Sequence, residues 1–183
     1  MKKNIIYFCV IFLFIKSHSY AQSYQFKPID ESKKDKSLMA FTAKLKKAVE
    51  NKSERELIAL LDKNVNLSFG GDHGINDFKK MWHPEKSTSE LWPLLKKMID
   101  LGGVFIDKEN SSFVYPYIFN IKLPNDTMDV FSSYVAIGEK VFVYKTPSLK
   151  GSYISALSYD LITGQDNGKG WTFIQTLDKK IKG

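Results

Sequence analysis

The spacing of hydrophobic residues along the chain changes at the glycine pair Gly102-Gly103. Before this pair, apolar residues recur every three to four positions, as on the buried face of an amphipathic helix. After it, short apolar, aromatic and β-branched runs alternate with polar residues, which is typical of strands. The sequence therefore predicts an α+β fold in which helices precede strands.

The first half of the chain is predicted to form an α+β domain over residues 37–125. A short strand at 65–69 and the tight turn Gly70–Gly74 interrupt its helical pattern, and a hairpin of two strands, 104–106 and 113–119, follows the glycine pair. Helical spacing and capping residues place the helices at about 37–51, 54–62, 75–82 and 90–101.

The second half is predicted to contain strands alone. The loop 123–127 (LPNDT) is the best boundary between the halves, so residues 131–183 form a separate β domain. Its predicted strands are about 131–137, 140–145, 152–157 and 170–176.

The N-terminus has the pattern of a secretory signal peptide, residues 1–21. Two lysines precede the apolar run Ile5–Ile15, and Ser19 and Ala21 supply small residues for cleavage after Ala21. The apolar run is too short to span a bilayer, which takes roughly 20 residues. We therefore expect an exported chain, secreted or periplasmic, whose mature form has no transmembrane segment. The polar residues 22–36 that follow are predicted to be a flexible tether.

Removing the signal peptide changes the composition that bears on function. The 27 basic side chains lose Lys2, Lys3 and Lys16, which leaves 24 against 20 acidic ones and a net charge of about +4. This modest excess, in an exported protein, argues against nucleic acid as a partner. The single cysteine, Cys9, lies inside the signal peptide, so the mature chain has neither a disulfide nor a cysteine nucleophile.

Residues 134–183 resemble the bacterial Src-homology-3-like (SH3-like) domain. The resemblance is carried by Ile137–Ser148 (IGEKVFVYKTPS), in which a glycine precedes an alternating strand and a Pro-Ser loop. Tyr153–Asp160 corresponds to the second strand of that family, and Gly170–Ile174 (GWTFI) to its W-x-x-V strand. The resemblance implies a small β-barrel that recognises peptide segments, either of the cell wall or of another envelope protein.

Two departures from the family pattern affect this prediction. Phe142 and Tyr144 stand where relatives usually carry Asn and Arg, and the sequence stops at Gly183, where relatives continue into a closing Gly-Tyr-Val strand. Either the chain is truncated or its SH3-like barrel is incomplete. The candidate ligand-binding residues are the aromatic side chains Tyr144, Tyr153, Tyr159 and Trp171.

The first half also resembles a domain of secreted bacterial proteins that has no characterised role. Phe69–Gly74 (FGGDHG), Phe78 and Trp82 carry this resemblance, which implies no mechanism. A nuclear-transport-factor-like cone is the less favoured alternative, because the predicted strands are too few to build its sheet.

Histidine chemistry offers the only enzymatic alternative. His73 and His83, with Asp72 beside the first, are the candidate acid–base or metal-binding groups, but zinc sites usually need three or four ligands at helical or knuckle spacing. No nucleophile-elbow or S-x-x-K motif is present. We therefore predict no catalytic residue, metal or cofactor, and favour a binding or scaffolding protein over an envelope hydrolase or hydrolase inhibitor acting through the first half.

Overall fold

The computed structural model describes residues 24–107, 109, 112–126 and 128–183. Within these residues the helices precede a set of antiparallel strands, so the predicted α+β fold is confirmed. The predicted signal peptide and its cleavage site lie outside the described residues. The helices are α1 (Lys36–Glu50), α2 (Glu54–Ile58), α3 (Gly74–Trp82) and α4 (Leu91–Asp100).

The four helices pack around one buried tryptophan. Trp92 of α4 is only 2% exposed, and its indole N–H donates to the carbonyl of Lys86 at 3.1 Å, so the one polar atom of the ring has a partner. Ser53 caps α2 by accepting the N–H of Glu56, as its capping pattern predicts. The buried residues that surround Trp92 are Ala48, Leu57, Phe78 and Leu91.

The strands pair in three small antiparallel sheets, and among the described residues they do not close into a barrel. The first sheet joins β1 to β2, the second has the order β3-β6-β7, and the third joins β4 to β5. The strands are β1 (Val104–Phe105), β2 (Phe113–Val114), β3 (Ser133–Val135), β4 (Val141–Tyr144), β5 (Tyr153–Leu157), β6 (Leu161–Asp166) and β7 (Thr172–Thr176).

The last three residues of the chain run back along β7. Ile174 and Gly183 exchange two backbone hydrogen bonds of 2.8 and 3.1 Å, and Thr176 donates to the carbonyl of Ile181 at 3.0 Å. The segment Ile181–Gly183 (the terminal segment) therefore covers the second half of the β7 edge that faces away from β6.

Some predicted strands are shorter than expected. Residues 65–69 form a single bridge, Asn66 to His73; Val65 and Leu67 are half-buried against the helical core, whereas Phe69 is fully exposed. The strand predicted at 113–119 ends at Val114, because Pro116 has no N–H for a ladder and a 3₁₀ turn begins at Tyr117. Part of the predicted turn between β1 and β2 lies outside the described residues.

The N-terminal segment differs from the predicted flexible tether. The backbone of Tyr24 accepts from Leu161 and the N–H of Phe26 donates to Tyr159, each at 2.8 Å, so the chain starts against the strand half. A few residues later the N–H of Glu31 donates to Gly103, also at 2.8 Å. Where the sequence predicts a flexible tether, the backbone groups of Tyr24, Phe26 and Glu31 thus pair with both halves of the molecule.

Tyr117 holds the N-terminal segment in place through its contact with Phe26. Its side chain is only 2% exposed, and its hydroxyl donates to the carbonyl of Phe26. Burial, together with the nearby Tyr159, raises the pKa of the Tyr117 hydroxyl, so the group stays protonated and able to donate at neutral pH.

We expect Tyr117→Phe to lower the free energy of unfolding by about 1–3 kcal/mol, because the carbonyl of Phe26 loses its donor while it stays shielded from water. Urea unfolding followed by circular dichroism measures the change. Tyr24→Phe is the matched control, since the contact of Tyr24 to Leu161 is made by its backbone. Equal stability of the Tyr117→Phe and wild-type chains would contradict the anchoring role.

Candidate functional site

A groove opens in the strand half between β4 and the start of β7. It encloses about 490 Å³, a size typical of sites for small ligands or short peptide segments. Its floor is apolar and consists of the buried side chains Val143, Leu157, Ile162 and Ile174. A surface of this kind favours apolar groups of a ligand over charged ones.

Two aromatic rings pack edge-to-face in the lining of the groove. Tyr144 ends β4 and Trp171 directly precedes β7, and their ring centroids lie 6.2 Å apart at an interplanar angle of 86°. Both side chains are half-buried. Gly170 adopts a positive φ of 76° in the turn before Trp171, a conformation that favours glycine. The edge-to-face pair therefore presents apolar ring surface together with one hydroxyl and one indole N–H.

The structure brings only two of the four predicted ligand-binding residues together. Tyr144 and Trp171 line the groove, whereas Tyr153 lies outside it, 59% exposed, with its ring 5.8 Å from that of Phe142. Tyr159 lies in the turn between β5 and β6 with a φ of 58°, where its carbonyl accepts the N–H of Phe26. Tyr159 thus serves the docking of the N-terminal segment, and Tyr153 packs against Phe142 of β4.

The groove has strand edges on two sides. β4 pairs with β5 along one edge, and no other described strand pairs with β4. The bulge between Val143 and Tyr144 marks an irregularity in that pairing, which is common beside binding sites. Across the groove, the terminal segment pairs with β7 as far as Ile174, and Thr172 lies beyond that pairing. The groove therefore combines apolar side chains with strand backbone on two sides.

Two lysines lie at or near the lining of the groove. Lys145 contributes to its lining, and the ammonium of Lys182 lies 5.4 Å from the ring centroid of Phe173. Residues 131–183 carry seven lysines against four acidic side chains. One of the four, Asp178, has its pKa lowered by the hydroxyl of Thr176, which donates at 2.6 Å. A ligand with negative charge at its exposed positions is favoured here.

The histidine alternative is not supported by the geometry. His73 and His83 are exposed and flank α3 at opposite ends, and that nine-residue helix is about 13 Å long. The ring of His73 hydrogen-bonds the carbonyl of Gly71, and that of His83 the carboxylate of Glu85. Asp72 accepts the hydroxyl of Ser68. The three candidate groups therefore have separate local partners.

Among the described residues, no group of three or more His, Cys, Asp or Glu side chains is arranged to hold a metal ion. Likewise, no helix within the described ranges has the length and apolar character needed to cross a bilayer.

Comparisons with protein-family models, with curated proteins and with solved structures give no match. The groove is therefore interpreted from its own chemistry.

Sequence reasoning did not identify the backbone edges of the groove or its buried floor. Thr172 and Gly183 carry no chemical signal in the sequence, because their importance comes from which strand lies beside them. The alternation in Val141–Tyr144 does predict one buried face, and Val143 is 5% exposed as that pattern requires. Val141, on the same predicted face, is 41% exposed because it lies at the mouth of the groove.

Proposed function

We propose that this protein is exported to the bacterial cell envelope and acts there as a binding or scaffolding protein. Its ligand is a peptide segment, belonging either to the cell wall or to another envelope protein, and the groove between β4 and β7 binds it. The observation that carries this proposal is the apolar groove of about 490 Å³ whose lining includes the edge-to-face pair of Tyr144 and Trp171. Convergent aromatic and apolar groups with few polar ones are typical of such sites.

The signal-peptide pattern at residues 1–21 and the SH3-like resemblance of residues 134–183 support the same proposal, since both are features of envelope proteins that recognise peptides. The hydrolase or inhibitor alternative is not carried further, because His73 and His83 lie at opposite ends of α3.

The direct test has two arms. The purified mature chain is sedimented with protein-free peptidoglycan sacculi, and it is also screened against a library of linear heptapeptides. We expect retention in at least one arm, and loss of that retention in Tyr144→Ala. Tyr153→Ala is the matched control, because it removes an exposed tyrosine of the same half that does not line the groove. No retention in either arm above an albumin control would contradict the proposal.

A further inference from the structure

We propose that the protein docks onto an anionic phospholipid bilayer through the solvent-facing lysines of α1. This surface lies in the helical half, and its binding does not depend on the groove. Six lysines and one acidic residue lie in the stretch from Lys33 to Lys47. Outside this stretch, residues 22–183 carry 18 basic and 19 acidic side chains. The net positive charge of the mature chain therefore lies on this one segment.

The packing of α1 determines which side chains it presents to solvent. Thr42 and Val49 are each 5% exposed and lie on the buried side of the helix. Because an α-helix has about 3.6 residues per turn, the residues on the opposite side follow from the sequence. That side carries three lysines, all of them exposed, which are called the lysine face: Lys36, Lys44 and Lys47.

Neighbouring carboxylates do not neutralise the lysine face. Among the described residues, none of the ion pairs involves Lys36, Lys44 or Lys47. Lys34, just before α1, differs because its ammonium lies 2.5 Å from the carboxylate of Glu31. Clusters of about four to eight basic residues on an amphipathic helix are typical of surfaces that bind anionic lipids. The charge of the lysine face is therefore complementary to anionic headgroups.

Two apolar side chains flank the lysine face and favour a bilayer over a soluble polyanion. Met39 is 49% exposed and Phe41 is 40% exposed, and helical geometry places them on opposite sides of the lysine face. Such groups gain by entering the boundary between headgroups and acyl chains, whereas a polymer of phosphates offers no apolar environment. Lys36 and Lys47 are about 16 Å apart along the axis, so the lysine face can meet several headgroups at once.

The direct test is sedimentation of the purified mature chain with large unilamellar vesicles at about 0.15 M salt. One set of vesicles contains equal parts of phosphatidylglycerol and phosphatidylcholine, and the other contains phosphatidylcholine alone. We expect binding to the anionic vesicles to be about tenfold or more tighter than to the neutral ones. Binding should be lost at about 1 M salt, where charges are screened within about 3 Å. Equal binding to the two sets, or none, would overturn the proposal.

The first variant neutralises the lysine face. Lys36→Gln/Lys44→Gln/Lys47→Gln keeps good helix formers at all three positions and removes three positive charges. Each lysine near an anionic surface contributes about fivefold to binding, so we expect the affinity for anionic vesicles to fall about 100-fold. Circular dichroism checks that the helical content stays that of the wild type.

The matched control removes the same charge from the strand half, where Lys140, Lys150 and Lys169 are exposed. Lys140→Gln/Lys150→Gln/Lys169→Gln should bind anionic vesicles within about threefold of the wild type, because charges farther than about 8 Å from the surface are screened. An equal loss in both triple variants would show that net charge alone causes binding, and would overturn docking through α1. Trp171→Ala, which alters only the groove, should bind vesicles normally, so this proposal and the peptide proposal fail separately.

A fluorophore distinguishes a bilayer from a soluble polyanion. The mature chain contains no cysteine, so Met39→Cys provides a single attachment point for an environment-sensitive dye. We expect the dye emission to shift to the blue on anionic vesicles. No shift is expected with the dye at Leu149→Cys, a position that is 78% exposed in the strand half. Unshifted emission at position 39 would overturn the apolar contact with the bilayer, and equally tight binding to polyphosphate would replace the bilayer with an anionic polymer.

Discussion

Replacing Trp92 with alanine is expected to lower the free energy of unfolding by about 3–5 kcal/mol, which is the usual cost of removing a large aromatic side chain from a core. Trp92 is 2% exposed and packs among the buried side chains of all four helices. The substitution also leaves the carbonyl of Lys86 without its indole donor. Urea unfolding followed by far-ultraviolet circular dichroism measures the loss.

The matched control for this variant is Phe119→Ala, which removes an aromatic side chain that is 72% exposed. We expect it to change stability by less than about 0.5 kcal/mol, as most surface substitutions do. A loss below about 1 kcal/mol in Trp92→Ala would mean that the helical half does not depend on this core.

Replacing Trp171 with alanine is expected to weaken peptide binding about 30-fold, or about 2 kcal/mol, with little change in stability. The side chain lines the groove, and its ring packs edge-to-face against that of Tyr144. Aromatic residues in such positions commonly dominate binding energy, because they supply a large contact area with few rotatable bonds. Calorimetry with a heptapeptide selected from the linear library measures the effect.

Tyr153→Ala again serves as the control, since Tyr153 is exposed on β5 and lies outside the groove. Its affinity for the selected peptide should stay within about twofold of the wild-type value, as expected for a residue outside the binding site. If Trp171→Ala and Tyr153→Ala lost peptide affinity equally, the binding site would not be the groove. Full peptide affinity in Trp171→Ala would lead to the same conclusion.

The sequence predicts the helical half well, because its signals are local. Apolar residues at helical spacing and the cap at Ser53 are enough to place α1, the start of α2, α3 and α4 within a few residues. The end of α2 is the exception. The helix stops at Ile58 and not near 62, although Leu60 and Leu61 still pack against the core as turn residues.

The strand half is less predictable, because strands are defined by distant partners. β6, the central strand of its sheet, is not predicted from the sequence, since Gly164 and the polar residues after it are typical of a turn. Packing explains the glycine: a Cβ at this position would lie 2.7 Å from the carbonyl oxygen of Phe173. The groove also depends on distant partners. Its two aromatic residues were predicted from the sequence, but its strand edges were not.

The docking of the N-terminal segment could not be predicted from its composition. Its polar composition is typical of a flexible chain, yet Ser32 is 4% exposed and the backbone from Tyr24 to Glu31 bonds to both halves. Composition reports the polarity of the side chains. Docking of this segment depends instead on hydrogen bonds of backbone groups, which do not depend on side-chain polarity.

Peptide binding in the groove can be mapped from amide and indole chemical shifts during titration of the ¹⁵N-labelled mature chain with the selected heptapeptide. We expect the changes to concentrate at Tyr144, Trp171 and Thr172, while the signals of His73 and His83 at the ends of α3 stay unchanged. Changes centred on α3, or a saturable complex that leaves the Trp171 indole signal unmoved, would contradict it.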